Sequence, residues 1–218
     1  MKSILLIGMG QFGQILGGRL IDMGDEVMIV DKEEDVINSL APKYTNAVIT
    51  NCMNADNVKS LDIPSFDACV VTIADDFQSS LEITSILKDL GAKYVVSKAN
   101  TEIQRKFLFR VGADEVIYPN RDVAEKLAVR LNAQKVYDYI ELDATFSIFE
   151  LAVPSKWIGK TIREANPRAV YDMNILTIKK DNKIMPSPTP DTVFEEGDKM
   201  VVFGNTEKII AFTNNKKK

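Results

Sequence analysis

Three glycines near the start of the chain, Gly8, Gly10 and Gly13, have the spacing of a loop that binds a pyrophosphate. In such a loop the first glycine makes the tight turn, the second lets the backbone approach the anion, and the third lets the following helix pack closely. Asp31 ends the next apolar run, where a carboxylate can accept hydrogen bonds from both ribose hydroxyls. These residues predict an adenine-nucleotide site, with an empty, degenerate loop as the alternative.

The predicted site extends beyond the glycines because ligands of such sheets lie over the carboxyl ends of the strands. It includes the rest of the loop and residues that follow the predicted strands: Met9, Gln11, Phe12, Lys32, Asn51, Cys52, Ile73, Ala74 and Lys98. We expect Lys98 to be the cation near the phosphates, with a solvated lysine as the alternative. The Asp31 carboxylate would repel a 2′-phosphate, which favours NAD over NADP.

The elements that must position these residues follow from the periodicity of the apolar residues. Through about the first 135 residues, strand-length apolar runs alternate with helical stripes. The predicted strands are Ser3–Ile7, Glu26–Val30, Asn46–Thr50, Ala68–Ile73, Tyr94–Ser97 and Glu115–Tyr118. This alternation predicts an α/β fold with a Rossmann-like, doubly wound parallel sheet.

Two of the intervening helices have clear ends. The first carries Phe12, Leu16, Leu20 and Met23 on one stripe and stops at Gly24. The other stops at Gly91 and carries this stripe: Leu81, Ile83, Ile86, Leu87 and Leu90.

The pattern of apolar residues changes after Pro119. A helix over Asp122–Ala133 is apolar on more than one face, so it needs a second surface to cover it. We place a domain boundary near Lys135 to Tyr137. Beyond it the pattern predicts a small α+β domain with strands at Tyr139–Leu142, Ser147–Val153, Ile175–Lys179 and Met200–Phe203. A domain of this size is only marginally stable when isolated, which favours docking or dimerisation.

Composition excludes several classes of function. The net charge is −4 and the only basic run is Lys216 to Lys218, so nucleic acid is a poor partner. There is no histidine, the side chain best suited to acid–base catalysis near neutral pH. Cys52 and Cys69 fit no disulfide framework, and we expect two buried thiols. No apolar run is long enough to span a bilayer and no signal peptide is evident, which predicts a cytoplasmic protein.

One pattern invites an enzymatic interpretation, because Tyr94 and Lys98 have the Tyr-x-x-x-Lys spacing of short-chain dehydrogenases. On a helix such residues are neighbours, and the lysine can lower the tyrosine pKa. In a strand they stand about 13 Å apart. The segment contains Val95 and Val96 and is predicted to be a strand. We therefore predict a nucleotide sensor without turnover, and keep a small NAD(H)-dependent oxidoreductase as the alternative.

Longer stretches carry a family resemblance. They are IGMGQFGQILGGRLIDMGDEVMIVDKE, AVITNCMNADNVKSL, VVTIADDFQSSLEITSILKDLGAKYVVSKA, VGADEVIYPNRDVAEKLA and ELAVPSKWIGKTIREANPRAVYDMNILTIKKDNKIMPSPTPDTVFEEGDKMVVFGN. Together they resemble the regulatory subunits of Ktr/Trk-type potassium uptake systems. The resemblance implies an RCK N-terminal (TrkA-N) domain over 1–118, a crossover helix over 119–136 and an RCK C-terminal (TrkA-C) domain over 137–218.

The same resemblance implies a cytoplasmic homo-oligomer, a dimer or an octameric ring, docked at the inner face of the membrane on a potassium channel subunit. The implied regulatory ligand is NAD(H), ADP or ATP, in contact with Gly8, Gly10, Gly13, Asp31 and Lys98. Gln11 stands where many relatives place an arginine that reaches the phosphates, which weakens the case for ATP. Asn120 stands where some place a metal-linked glutamate, so no metal site is predicted.

The C-terminal segment resembles modules that bind cyclic di-AMP at a dimer interface. By position the implied contacts are Ile162, Arg168, Asn174, Ile175 and Pro188. The guanidinium of Arg168 would bind phosphate, and the apolar residues would pack against adenine. The alternative is that Ile162 and Ile175 are core residues and Arg168 is a surface cation.

Overall fold

Six strands form the first sheet of the computed structural model, which describes residues 1–73, 75–133, 135–181 and 183–214. The strands are β1 (Ser3–Ile7), β2 (Glu26–Asp31), β3 (Asn46–Ile49), β4 (Ala68–Val71), β5 (Val95–Lys98) and β6 (Glu115–Ile117). All five pairings are parallel, and the order is β3-β2-β1-β4-β5-β6. The predicted doubly wound sheet is confirmed, with strand ends within two residues of those predicted.

The helices of the first unit alternate with its strands. They are α1 (Gln11–Asp22), α2 (Glu34–Leu40), α3 (Ala55–Lys59), α4 (Phe77–Asp89) and α5 (Glu102–Arg110). Both faces of β1 are buried, Leu5 and Ile7 in one apolar cluster and Ile4 and Leu6 in another. Such two-sided burial explains why the strand is apolar throughout.

One predicted helical contact is wrong. Helix α1 ends at Asp22, and the side chain of Met23 is 78% exposed instead of lying on the buried stripe. The buried residues of α1 are Gly13 and Gly17, with Leu16 and Leu20 only partly covered. The helix therefore packs through its glycines, which bring its backbone close to the sheet.

The chain divides at Asn120, giving the units Met1–Asn120 and Arg121–Lys218. The next helix, α6 (Pro119–Asn132), begins three residues before the predicted start because proline suits the first turn of a helix. Val129 packs against the core of the second unit, whereas Val123, Leu127 and Leu131 are exposed.

An antiparallel sheet forms the second unit, in the order β10-β9-β11-β8-β7. Its strands are β7 (Val136–Glu141), β8 (Phe146–Ala152), β9 (Met173–Lys180), β10 (Lys183–Met185) and β11 (Lys199–Asn205). Its helices are α7 (Ile162–Ala165), α8 (Pro167–Tyr171) and α9 (Thr206–Asn214). The predicted small α+β domain is confirmed, although the periodicity did not reveal β10 or α7 to α9.

Candidate functional site

Gly8 makes the turn at the end of β1 with a positive φ of 94°. L-residues rarely adopt this conformation, and a Cβ here would lie 2.6 Å from Cγ1 of Ile73. The backbone N–H of Gly8 donates to the Val30 carbonyl at 2.8 Å, which fixes the turn against β2. Both the conformation and the space around it require glycine.

The other two glycines of the loop differ in how much space surrounds them. A Cβ on Gly13 would meet the Gly8 carbonyl oxygen and would lie 3.0 Å from Oγ1 of Thr72, so Gly13 lets α1 pack closely on the turn, as predicted. Gly10 is the N-cap of α1, and a Cβ added to it would have no atom within 4 Å. The space above it is open, and the free N–H groups of a twelve-residue helix begin there.

Asp31, the last residue of β2, is held beside this loop. Its Oδ2 accepts from the backbone N–H of Met9 at 2.6 Å, and its Oδ1 accepts from that of Glu33 at 3.0 Å. An ionised carboxylate has about four lone-pair sites, so two donors leave capacity for a ligand. The side chain is thus oriented and still able to accept from ribose hydroxyls.

An open cleft of about 270 Å³ lies over the carboxyl ends of the strands, and we call it the N-terminal cleft. Its lining residues are Ile7, Gly8, Gly10, Asp31, Lys32, Thr50, Asn51, Cys52, Met53, Thr72, Ile73, Asp75, Asp76, Ser79 and Ile83. Seven of the predicted site residues are among them: Gly8, Gly10, Asp31, Lys32, Asn51, Cys52 and Ile73.

Five predicted residues that the structure describes do not line this cleft. The backbone N–H of Met9 donates to Asp31, and Gly13 packs against the Gly8 turn. Gln11 lies in the first turn of α1. The ammonium of Lys98 lies 6.0 Å from the ring centroid of Phe12. Ala74 lies outside the described residues.

The end of β4 contributes residues that the periodicity did not single out. Asp76 is the N-cap of α4: its carboxylate accepts from Ser79 N at 3.1 Å and from Ser79 Oγ at 2.6 Å. These hydrogen bonds hold the pKa of Asp76 below its usual range. Aspartate is one of the preferred N-cap residues, so an aspartate directly before a helical stripe could have marked this position.

Two further contacts complete this wall of the cleft. Asn100 donates from Nδ2 to Oδ1 of Asp75 at 3.1 Å. The Ser79 hydroxyl lies 3.0 Å from the Met53 sulfur, joining the ends of β3 and β4. Pairing of this kind between distant segments leaves no signal in the sequence.

Cys52 lies in the cleft as a buried thiol, and Cys69 is buried in the sheet. Burial raises the pKa of Cys52 to about 12, and the Asp31 charge acts in the same direction. Burial likewise raises the pKa of Cys69 to about 12. Both sulfurs are therefore neutral and unreactive at neutral pH, as two buried thiols were predicted to be.

The segment forms a strand and not a helix, as predicted: Tyr94 immediately precedes β5 and Lys98 is its last residue. The Tyr94 hydroxyl donates to Oε2 of Glu115 at 2.8 Å. That hydrogen bond raises the pKa of Tyr94. A dehydrogenase tyrosine needs a lowered pKa, so this pair lacks both the geometry and the electrostatics for proton transfer.

A second cleft of about 240 Å³ lies in the second unit, and we call it the C-terminal cleft. Its lining residues are Ile162, Arg163, Asn166, Pro167, Arg168, Met173, Asn174, Ile175, Pro188, Thr189 and Pro190. The structure thus brings together all five predicted residues of the second site: Ile162, Arg168, Asn174, Ile175 and Pro188.

Short helices shape the C-terminal cleft. Thr161 and Glu164 form a capping box that starts α7, and Asn166 turns the chain into α8 with a positive φ of 45°. Arg163 is engaged by Asp191, with Nη2 3.0 Å from Oδ1. Arg168 is exposed, and the described residues offer it no ion pair. Its guanidinium is available to an anion.

The described residues contain neither a metal-ligand cluster nor a membrane-spanning helix. Among them, no group of three or more cysteine, aspartate or glutamate side chains is arranged to hold a metal ion. No helix in the described part of the chain combines the length and apolar character needed to cross a membrane.

Comparisons with known proteins agree with this division into two units. The TrkA-N domain model matches residues 4–119 and the TrkA-C domain model matches residues 146–217. The chain is 36% identical to the Ktr system potassium uptake protein A of Bacillus subtilis, covering 98% of this chain and 96% of that protein. It is 33% identical to the Ktr system potassium uptake protein C of the same organism, covering 97% and 96%.

A solved structure shares the fold. It is described as the GsuK channel bound to NAD, and it superposes with a TM-score of 0.71 over 100% of this chain at 16% sequence identity. This chain spans 40% of that protein's length.

Proposed function

The chain belongs to the family that joins a TrkA-N domain to a TrkA-C domain, and on that premise we propose that it is a nucleotide-sensing regulatory subunit of a membrane potassium uptake system. Relatives over nearly its full length are named as Ktr system potassium uptake proteins. The proposal makes the chain a cytoplasmic homo-oligomer, a dimer or an octameric ring, that docks on a potassium channel subunit at the inner face of the membrane.

The observation that carries the proposal is the N-terminal cleft. The α1 N-terminus, open above Gly10, is suited to a pyrophosphate, and the oriented Asp31 carboxylate beside it is suited to a ribose. The regulatory ligand is NAD(H), ADP or ATP. It acts by binding two conformations of the protein with different affinity, which shifts their equilibrium without chemistry.

The proposal includes no catalytic turnover. The chain has no histidine, and Tyr94 precedes strand β5 while Lys98 ends it, with the tyrosine hydroxyl hydrogen-bonded to Glu115. The runner-up, a small NAD(H)-dependent oxidoreductase, needs a proton donor beside the nicotinamide, and the described residues that line the cleft include no tyrosine or histidine.

We propose cyclic di-AMP as a second ligand, held in the C-terminal cleft at a two-fold interface between chains. Arg168 supports this assignment because its guanidinium is free to bind phosphate as a fork. Ile162, Ile175 and Pro188 offer an apolar surface to adenine. The two-fold axis would give each of the two equivalent phosphates the same arginine.

One pair of assays tests sensor against enzyme. Titration calorimetry of the purified protein is expected to show saturable binding of NAD⁺ or ADP. Incubation with NADH and a panel of carbonyl compounds is expected to leave the absorbance at 340 nm unchanged beyond blank drift. Steady, substrate-dependent loss of that absorbance would establish the oxidoreductase instead, and absence of any nucleotide binding would refute the sensor.

A further inference from the structure

The N-terminal cleft is acidic. Its lining carries the carboxylates of Asp31, Asp75 and Asp76 against a single ammonium, that of Lys32. Lys32 is well exposed, and its Nζ lies 3.8 Å from a further carboxylate, that of Glu33. The side chains that line the cleft therefore carry a net negative charge.

Asp75 and Asp76 lie at the edge of the cleft, where each carboxylate accepts hydrogen bonds. Their hydrogen bonds come from neutral donors, Asn100 to Asp75 and Ser79 to Asp76. No ion pair joins either carboxylate to a cation of the described residues. The charge of Lys32 acts on Asp76 without forming an ion pair with it, and one cation against three carboxylates leaves the lining with a net negative charge.

The glycine loop supplies little compensating positive charge. Residues 8–14 contain no lysine or arginine. The first cation of α1 is Arg19, which is exposed and lies 3.7 Å from Asp22. Lys98 lies over the Phe12 ring and outside the lining. An anion at the loop is stabilised mainly by the N–H groups at the α1 N-terminus, which are equivalent to about half a unit charge.

We propose that Asp75 and Asp76 make the cleft select nucleotides by charge, favouring NAD⁺, whose pyrophosphate is internal, over ADP and ATP, which end in a free phosphate. The inference rests on the proposed nucleotide binding and names its ligand class. A terminal phosphate ionises a second time near pH 6, and ATP adds a further phosphate, whereas NAD⁺ carries a cationic nicotinamide. Each extra negative charge is repelled by the two carboxylates.

The test is competitive titration of NAD⁺ and ATP against the wild-type protein and Asp75→Asn, in EDTA at low ionic strength. Asparagine keeps the oxygen that accepts from Asn100 and removes only the charge. The control is Asp89→Asn, the same change of charge at the other end of α4, about 20 Å from Asp76 along the helix.

In the wild-type protein we expect NAD⁺ to bind about tenfold more tightly than ATP. Asp75→Asn should tighten ATP binding and so narrow the ratio of the NAD⁺ affinity to the ATP affinity by about threefold to tenfold. Asp89→Asn should leave this ratio unchanged. Raising the salt concentration from about 20 mM to about 500 mM should narrow the wild-type ratio without any substitution.

The outcomes separate the two proposals. ATP binding as tightly as NAD⁺ to the wild-type protein, or an unchanged ratio in Asp75→Asn, overturns the charge selection and leaves the nucleotide sensor standing. Failure of every nucleotide to bind overturns both. If Asp75→Asn does not fold, the salt dependence of the wild-type ratio decides, because an unchanged ratio contradicts an electrostatic origin.

Discussion

The backbone N–H of Met9 donates to Oδ2 of Asp31 across 2.6 Å, and this hydrogen bond ties the glycine loop after β1 to the end of β2. One side chain therefore serves two purposes. It fixes the loop that presents the helix N-terminus, and it offers its remaining lone pairs to the cleft. Removing it should affect the phosphate and the ribose ends of a ligand together.

Asp31→Ala is expected to weaken the binding of NAD⁺ and ADP alike, by about 1–3 kcal/mol, the usual contribution of hydrogen bonds to a charged group. Asp25→Ala is the matched control, because Asp25 also accepts a backbone N–H, that of Lys2 at 2.8 Å, at the opposite end of β2. Calorimetry on both variants measures the effect. Equal affinities in Asp31→Ala and the wild-type protein would remove Asp31 from the ligand site.

Two glycines of α1 should respond in opposite directions to alanine. A Cβ at Gly13 meets the Gly8 carbonyl, whose position is fixed, so Gly13→Ala should destabilise the protein by about 1–3 kcal/mol. Gly18 has nothing within 4 Å, so Gly18→Ala should stabilise it by about 0.5–1 kcal/mol through helix propensity. Denaturant unfolding measures both. A tolerated Gly13→Ala would contradict the close packing of α1 on the turn.

The two buried cysteines should make the protein less stable at high pH. Their pKa values are raised from 9.0 to about 12 in the folded protein, so above pH 9 the unfolded chain releases protons that the folded chain retains. The free energy of unfolding should therefore fall as the pH rises from 9 towards 12, by about 1.4 kcal/mol per pH unit for each thiol.

Lysine and tyrosine also titrate in this range, so the comparison is with the double variant Cys52→Ala, Cys69→Ala. Its stability should depend less steeply on pH than that of the wild-type protein in urea unfolding between pH 8 and about pH 10. If the free energy of unfolding changed with pH equally in the wild-type protein and the double variant, the thiols would ionise normally in the folded protein.

Arg168→Ala is expected to weaken cyclic di-AMP binding by about 3–5 kcal/mol, because a two-fold site loses one charge-assisted contact from each chain. Nucleotide binding in the N-terminal cleft should be nearly unchanged, since the two clefts lie in separate units. Arg163→Ala should weaken cyclic di-AMP binding less than Arg168→Ala does, because Arg163 already forms an ion pair with Asp191.

The same calorimetry gives the stoichiometry, which should be one cyclic di-AMP for two chains. No binding at micromolar concentrations, or one ligand for each chain, would contradict the interface site. The C-terminal unit would then be better explained as a dimerisation element alone.

The sequence by itself determined the alternation of strands and helices, because burial on both faces of a sheet imposes apolar runs whose period is visible in the chain. It also predicted the glycine loop and the acid at the end of β2, since a tight turn and a close helix each restrict the residue type at a fixed spacing. Gly8 and Gly13 have the conformation and the packing that this spacing requires.

Only the tertiary structure decided which side chains meet across strands. Met53 and Ser79 come together because β3 and β4 end at the same edge of the sheet, and Lys98 lies over Phe12 instead of in the cleft. The acidic wall at Asp75 and Asp76 also depends on how the end of β4 turns into α4. Periodicity records whether a position is buried, but the direction of a side chain at a strand end depends on neighbours that are distant in the chain.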